Sequence, residues 1–366
     1  MTGRLVVAKI GTSSLTDERG RIVDSAIEKL CGEVAGLKAA GERVVVVTSG
    51  AIAAGLPVLG LGDKRPSDPA VLQAVSAVGQ AHLVDRYNRA LAAHGLVAGQ
   101  VLLAPLDFVD RRQYLHARQT LQVLLDLGVV PVINENDAVA DDEIRFGDND
   151  RLAALVSHLL TADLLVLLTD QVGLLTGDPR LDREASLIEE IVAVDHTLEA
   201  LAGGAGTARG SGGMASKLGA AKIAAWSGVR AVIAAASRPS VLRDALAGVA
   251  GVGTVFVPRP VRLPARKLWI AFAVGAAGKI MVDDGARQAL TLRGVSLLPA
   301  GVTGAEGSFD ADDAVELAGP DGAVFAKGLS RHSAADVRRL AGQRTSDLPP
   351  DVVPEVVHRD DLVLLP

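Results

Sequence analysis

Two lysines in this chain adjoin turns of small residues that could bind an anion. Lys9 ends an apolar run and is followed by Gly11-Thr12-Ser13-Ser14, and Lys217 closes a glycine-rich stretch. Small residues expose backbone N–H groups, and a lysine adds a mobile positive charge. Neither stretch contains a histidine. This combination disfavours hydrolysis by a Ser/His pair and favours phosphoryl transfer, in which positioning and charge neutralisation do most of the work.

A carboxylate is a suitable acceptor for such a transfer. Its reference pKa of about 4.3 leaves it ionised at pH 7 without a general base. What it needs is relief from repulsion, because two unit charges near 4 Å interact by about 1 kcal/mol in water and about 4 kcal/mol at an effective dielectric of 20. Two lysines and a magnesium ion could supply most of that relief.

The stretch from Val130 to Arg151, VPVINENDAVADDEIRFGDNDR, is crowded with Asn, Asp and Glu. The apolar residues up to Ile133 predict a buried strand, after which the polar cluster begins at Asn134, and Asn149 is predicted to cap the helix that follows. In an open α/β sheet, ligands bind beyond the carboxyl ends of the strands. The alternative is a solvated surface loop with an ordinary helix cap.

Strands and helices are predicted to alternate along the first 235 residues. The apolar runs predict strands over 5–8, 43–47, 96–103, 129–133, 164–168 and 229–235. Helical spacing of apolar residues predicts helices over 24–40, 70–93 and 111–127 and from 149 onwards. The expected fold class is α/β, with a mostly parallel central sheet sandwiched by helices. Polar residues follow four of the strands, which predicts a common ligand-binding rim.

The stretch from Gly203 to Lys217 holds six glycines in fifteen residues and leads into a predicted helix. Glycines let backbone N–H groups approach a polyanion, and a helix start adds a favourable dipole. The stretch is not a P-loop, because Ser216 precedes the lysine where that motif needs glycine, and it is not a dinucleotide fingerprint. The alternative is a flexible connector.

Composition narrows the class of protein. The net charge of −6 over 366 residues gives no general attraction to nucleic acid or anionic membranes. The longest uncharged window, 44–62, is interrupted by polar residues, glycines and proline, so we expect no membrane span, and the amino terminus lacks a signal-peptide pattern. A cytoplasmic location follows as an expectation. The single cysteine, Cys31, excludes an internal disulfide and is expected to pack in the core.

Five stretches together resemble the amino acid kinase family, and within it the branch that phosphorylates glutamate. They are VTSGAIAAG (47–55), PVINENDAVA (131–140), FGDND (146–150), LLTDQVGL (167–174) and GSGGMASK (210–217). The resemblance implies transfer of the ATP γ-phosphate to the side-chain carboxylate of L-glutamate, giving L-glutamyl 5-phosphate in the first step of proline biosynthesis. It also implies that Mg²⁺ is required, although the side chains that would bind it are unknown.

The resemblance also implies roles for individual residues. Lys9 and Lys217 would hold the transferring phosphoryl group, and Asp150 would orient the two lysines. The predicted glutamate-binding residues are Ser49, Asp137 and Asn149. The predicted ATP-binding residues are Lys9, Thr169, Asp170, Ser211, Gly212, Gly213, Met214, Ala215, Ser216 and Lys217.

The last hundred residues resemble a PUA domain, a small, mainly β module that binds RNA in RNA-modifying enzymes. We predict a kinase domain over 1–258, a linker over 259–267 and the PUA-like domain over 268–366, with a short helix from Ala334 to Leu340. Residues 259–366 hold 13 Lys and Arg against 14 Asp and Glu, a net charge of −1, which argues against RNA as a partner.

Two alternatives to this assignment stay open. Another enzyme of the superfamily, such as an acetylglutamate kinase, an aspartokinase or a nucleotide kinase, would share the fold. An RNA-binding protein could use the kinase part as a scaffold, although a scaffold has no need of Lys9, Asp150 and Lys217. The resemblance further implies feedback inhibition by proline and assembly into a homodimer or homotetramer.

Overall fold

The computed structural model describes residues 3–62, 65–108, 110–139, 149–177, 182, 184–194, 198, 201, 213–349 and 352–365. The chain divides into two compact units, Met1–Arg262 and Leu263–Pro366. The finer boundaries expected from the sequence, with a linker over 259–267, stay a prediction. Among the described residues, no helix is both long and apolar enough to cross a membrane.

A sheet of eight strands forms the centre of the first unit. Its strands are β1 (Leu5–Ile10), β2 (Arg43–Val47), β3 (Ala98–Leu103), β4 (Val130–Glu135), β5 (Leu164–Thr169), β6 (Glu190–Ile191), β7 (Arg230–Ala235) and β8 (Thr254–Phe256). Their order across the sheet is β3-β4-β2-β1-β5-β7-β8-β6. Neighbours pair in parallel except β7 and β8, which are antiparallel.

Helices connect these strands. They are α1 (Thr12–Leu15), α2 (Asp24–Ala39), α3 (Ala51–Val58), α4 (Pro69–Ala92), α5 (Arg111–Asp126), α6 (Asn149–Leu160), α7 (Met214–Trp226) and α8 (Val241–Ala247). The start of α4 shows how the sequence sets an end, because Asp68 accepts hydrogen bonds from the N–H groups of Ala70 and Val71 and Pro69 occupies the first helical position.

Burial explains why the central strands read as continuous apolar runs. Every residue of β1, β4 and β5 is buried, which requires cover on both faces of the sheet. Alternate strand residues such as Val6, Ala8 and Ile10 share one core cluster with apolar residues of α2, α4 and α8. Of the remaining helices, α6 contacts β1 and α7 contacts β7. The predicted α/β class with a mostly parallel sheet is confirmed.

Two strands run further than the apolar pattern predicted. β1 continues through Lys9, and β4 continues through Asn134 and Glu135, which pair with Leu102 and Leu103 of β3. The expectation that the polar cluster starts where the strand ends was therefore wrong. These polar side chains lie within the sheet ladder, so its hydrogen bonds fix their backbone.

The second unit is mainly β. Its strands are β9 (Gly278–Val282), β10 (Val302–Gly307), β11 (Ala314–Ala318), β12 (Val324–Ser330) and β13 (Val357–Leu364), in the order β10-β9-β11-β12-β13. Its α-helices are α9 (Ala265–Leu268), α10 (Asp284–Arg293) and α11 (Ala334–Leu340), the last as predicted. A separate core that includes Ile280, Leu317 and Val337 fills this unit.

Candidate active site

Two lysines and one aspartate meet at the carboxyl edge of the central sheet. Lys9 Nζ lies 2.5 Å from Asp150 Oδ1, and Lys217 Nζ lies 3.1 Å from Asp150 Oδ2. The side chains are 4%, 6% and 0% exposed for Lys9, Lys217 and Asp150. The structure thus brings together the three residues predicted to handle the phosphoryl group, from positions up to 208 residues apart (217 − 9).

Each member of this triad is held by a different element. Lys9 is the fifth residue of β1, paired with Val47 on one side and Leu167 on the other. Asp150 is the second residue of α6, and Lys217 lies in the first turn of α7. α6 and α7 contact each other, so the amino-terminal ends of both helices meet beside β1. Helix amino termini favour negative charge, which suits a phosphate ligand.

Electrostatics keep Asp150 ionised. Burial alone would raise its pKa, but the ammonium groups of Lys9 and Lys217 outweigh burial and hold the pKa of Asp150 below its ordinary value. The triad therefore carries one negative and two positive charges, a net charge of +1. Removing either kind of charge would leave the other buried without compensation, which is strongly destabilising.

Ser216 belongs to this cluster as well as to the predicted ATP loop. Its Oγ donates a hydrogen bond to Asp150 Oδ2 at 3.0 Å. Within the described part of that loop, Gly213 precedes α7 and Met214, Ala215, Ser216 and Lys217 form its first turn. Ser211 and Gly212 lie outside the described residues, as does the FGD segment before Asn149.

The three predicted glutamate-binding residues lie at the ends of neighbouring elements. Ser49 follows β2, and Gly50, with a left-handed φ of 102°, turns the chain into α3. Asp137 follows β4 and accepts a hydrogen bond from Ser76 at 2.5 Å. Burial raises the pKa of Asp137, although the Ser76 hydroxyl and the charge of Arg65 partly oppose that rise.

Asn149 joins this group to the triad. Its Oδ1 accepts a hydrogen bond from the Glu135 N–H at the end of β4, at 3.2 Å, and its chain neighbour Asp150 binds the two lysines. Asn149 lies at the amino-terminal end of α6, and its role as a helix cap stays a prediction because residue 148 lies outside the described residues. Its side chain contacts the strand because the strand end presents an N–H group to it.

Sequence reasoning missed three polar residues that contact this region. Ser76 and Gln80 lie on one face of α4, and Gln80 Oε1 accepts a hydrogen bond from Asn134 Nδ2 at 2.7 Å. Asn134 was noticed in the central stretch without a role. The available signal was the spacing of four residues between two polar side chains on the otherwise mainly apolar face of α4.

The predicted nucleotide residues of β5 border a cavity. Thr169 Oγ1 donates to Asp170 Oδ1 at 3.0 Å. The cavity has a volume of about 340 Å³ and opens at the carboxyl ends of β1, β5 and β7, where Ile10 and Ala236 also line it. Lys29, from α2, donates to the carbonyl oxygens of Ala236 and Arg238 at its rim.

The described residues contain no group of three His, Cys, Asp or Glu side chains suited to bind a metal. Asp150, the carboxylate at the centre, has a lysine on each oxygen. Mg²⁺ commonly binds through substrate phosphates, with few protein carboxylates and several waters. A magnesium ion carried by nucleotide phosphates is compatible with this arrangement, in which the two lysines occupy Asp150.

Fold and site together define a kinase of the amino acid type. Residues 4–235 match the model of the amino acid kinase family, to which the chain belongs, and residues 278–349 match the PUA domain. The carbamate kinase from Giardia lamblia bound to AMP-PNP shares the fold, with a TM-score of 0.51 and 19% identity over 70% of this chain and 99% of that one.

Full-length relatives narrow the class to the glutamate 5-kinases. The glutamate 5-kinase of Myxococcus xanthus is 48% identical over 100% of this chain and 97% of its own length. That of Burkholderia multivorans is 46% identical over 99% of this chain and 98% of its own. That of Trichlorobacter lovleyi is 44% identical over 99% and 97%.

Proposed function

We propose that this protein transfers the γ-phosphate of ATP to the side-chain carboxylate of L-glutamate, giving L-glutamyl 5-phosphate, the first step of proline biosynthesis. The observation that carries the proposal is the pair of buried ammonium groups on one carboxylate, Lys9 and Lys217 on Asp150. The full-length similarity to glutamate 5-kinases supports the choice of acceptor.

Catalysis follows from charge at fixed positions. Lys9 and Lys217 neutralise the transferring phosphoryl group while negative charge lies on both donor and acceptor oxygens, and Asp150 keeps the two ammonium groups apart and aimed. No side chain needs to remove a proton, because the acceptor carboxylate is ionised at neutral pH. The net charge of +1 on the triad is available to the phosphate.

Glutamate recognition is assigned to Ser49, Asp137 and Asn149. The Asp137 carboxylate suits the α-ammonium group of the amino acid, and the hydroxyl and carboxamide of the other two suit its carboxylates. Because Asn149 and Asp150 are adjacent in α6, glutamate bound by these three residues would lie next to the phosphoryl-transfer triad.

ATP binding is assigned to Thr169, Asp170, the loop from Ser211 to Lys217, and Lys9. The first N–H groups of a helix have no partner within that helix, so the start of α7 can donate to phosphate oxygens. Magnesium would be held by the phosphates and would neutralise part of their charge.

Three further expectations from the sequence analysis remain proposals. Proline would inhibit by competing at or beside the glutamate pocket, which an inhibition pattern against glutamate would test. The chain would form a homodimer or homotetramer, which light scattering would measure. A cytoplasmic location and the absence of nucleic-acid or membrane partners complete the set.

The decisive experiment measures ATP consumption with glutamate, N-acetylglutamate, aspartate and UMP offered separately. We expect magnesium-dependent turnover with glutamate and little with the other three. Preferential turnover of N-acetylglutamate, aspartate or UMP would overturn the assignment and favour another member of the family. Turnover with none of them would favour the scaffold alternative.

A further inference from the structure

One turn of α4 is linked to all three predicted glutamate-binding residues, directly to Asp137 and through intervening residues to Asn149 and Ser49. The turn spans Ser76, Gly79 and Gln80, which are buried although two of them are polar. In a helix, residues three and four apart share a face, so these three point the same way.

Ser76 contacts the first of these residues directly. Its Oγ lies 2.5 Å from Asp137 Oδ2 and donates to that oxygen. Asp137 follows the end of β4 and is only half-buried, so the loop alone does not fix its side chain. The hydroxyl of Ser76 therefore restrains one carboxylate oxygen of Asp137.

Gln80 reaches the second residue through two links. Its Oε1 accepts from Asn134 Nδ2 at 2.7 Å, and Asn134 Oδ1 in turn accepts from the Glu135 N–H at 2.9 Å. The same N–H donates to Asn149 Oδ1 at 3.2 Å. Gln80 therefore sets the rotamer of Asn134, which shares a donor with Asn149.

Gly79 packs α4 against α3, the helix that follows Ser49. A Cβ at this position would lie 1.8 Å from the carbonyl oxygen of Ala51 and 2.5 Å from the Gly55 nitrogen. The absence of a side chain thus lets α4 pack directly on the first turn of α3, which starts two residues after Ser49. Backbone contact at this point fixes the distance between α4 and the Ser49 turn.

We propose that Ser76 and Gln80 are positioning residues for glutamate, acting through Asp137 and Asn149, with Gly79 holding α4 at the required distance. The inference rests on the proposed function and deepens it. α4 therefore forms a wall of the amino acid pocket. Loss of the hydrogen bond made by Ser76 or by Gln80 should weaken glutamate binding and leave phosphoryl transfer nearly unchanged.

The test uses the full-length enzyme and three variants, Ser76→Ala, Gln80→Met and Ser76→Thr. We expect Ser76→Ala and Gln80→Met each to raise the glutamate KM about tenfold, the typical effect of one lost buried hydrogen bond, with kcat and the ATP KM within about threefold. Ser76→Thr keeps the hydroxyl and should restore most of the glutamate affinity. Asn88→Ala, at an exposed position of the same helix, is the matched control and should change none of these constants.

A double-mutant cycle separates positioning from general support of the fold. In an Asp137→Asn background, Ser76→Ala should add less than about twofold to the glutamate KM, because its partner is already impaired. Full additivity would overturn the proposal, and so would an equal loss of glutamate and ATP affinity. If Ser76→Ala fails to fold, Gln80→Met decides by the same split of constants. An unmodified enzyme inactive on glutamate would instead overturn the proposed function itself.

Discussion

The two halves of the candidate site are built by different kinds of interaction. At the phosphoryl half, three full charges on Lys9, Asp150 and Lys217 are almost completely buried. At the amino acid half, Asp137 accepts a hydrogen bond from Ser76 of α4 and Asn134 donates one to Gln80 of the same helix, and Asp137 is only half-buried. Removing one buried charge leaves its partners uncompensated and has a large free-energy cost, whereas removing a single hydrogen bond has a smaller one.

The pKa directions follow the same division. The pKa of Asp150 is lowered because its lysines outweigh burial, and the pKa of Asp137 is raised because burial dominates there. The phosphoryl half is thus set to stay charged, and the amino acid half is the more responsive to pH. Each prediction below tests one side of this comparison against the other.

The largest effect is expected for Asp150→Ala. Without the carboxylate, two buried ammonium groups repel each other, so kcat should fall by about 10² to 10³ or more while the glutamate KM changes little. Lys217→Ala should give the same pattern. Steady-state kinetics with a circular dichroism check would measure both, and an Asp150→Ala enzyme with near-normal kcat would show that the triad is only structural.

Asp137→Asn should affect recognition instead. The ammonium group of glutamate loses a charged acceptor, so the glutamate KM should rise by about ten- to a hundredfold. Some loss of kcat is expected, since a misplaced carboxylate reacts more slowly. An unchanged glutamate KM would mean that the α-ammonium group binds elsewhere and that the two halves are not divided as proposed.

Acidification should weaken the amino acid half first. As pH falls, Asp137 takes up its proton above the usual aspartate pKa of 3.8, and a protonated carboxyl no longer attracts an ammonium group. The pKa of Asp150 is lower in the folded protein than in the unfolded chain. Its contribution to stability is therefore fully present at pH values above the unfolded pKa, and it is lost as pH falls through the folded pKa.

The side-chain carboxyl of glutamate also titrates in this pH range, so the measured quantity is the ratio of the glutamate dissociation constants of two enzymes. The dissociation constant of glutamate would be measured by calorimetry from about pH 7.5 to 4.5 in the unmodified enzyme and in Asp137→Asn, where the substrate contribution is common to both. We expect the unmodified enzyme to lose affinity more steeply. Parallel curves would assign the pH response to the substrate alone.

The sequence predicted the fold class and many element ends because burial on both faces makes strands continuously apolar, and the predicted helix 334–340 was confirmed. It also pointed to Lys9 and Lys217, because both lysines adjoin turns of small residues, whereas the role of Asp150 came from the family resemblance. It missed Ser76 and Gln80 because their partners lie 61 and 54 residues away, and no local pattern reveals which distant atom a buried polar side chain meets.

The smallest effect is expected from removing the second unit, because the described residues of both halves lie within Met1–Arg262. The chain can be ended at Pro258 or at Arg262, and two contacts distinguish these choices. Arg259 stacks on Trp226 with 3.8 Å from its Cζ to the ring centroid, and Arg262 donates to the carbonyl oxygen of His158. These contacts join the segment to the carboxyl-terminal parts of α7 and α6, the helices whose first turns carry Lys217 and Asp150.

A chain ending at Arg262 should therefore be more stable than one ending at Pro258. Losing the cation–π contact and a charged hydrogen bond amounts to about 2 kcal/mol, or roughly 5 °C in Tm for a unit of this size. Both truncated chains should phosphorylate glutamate within about tenfold of the full-length rate, about 1.4 kcal/mol in transition-state terms. Calorimetric melting and coupled ADP-release assays on the pair would measure this, and a folded but inactive chain ending at Arg262 would show that the site depends on the second unit. If the two truncated chains had the same Tm, Arg259 and Arg262 would not stabilise the helices that carry the triad.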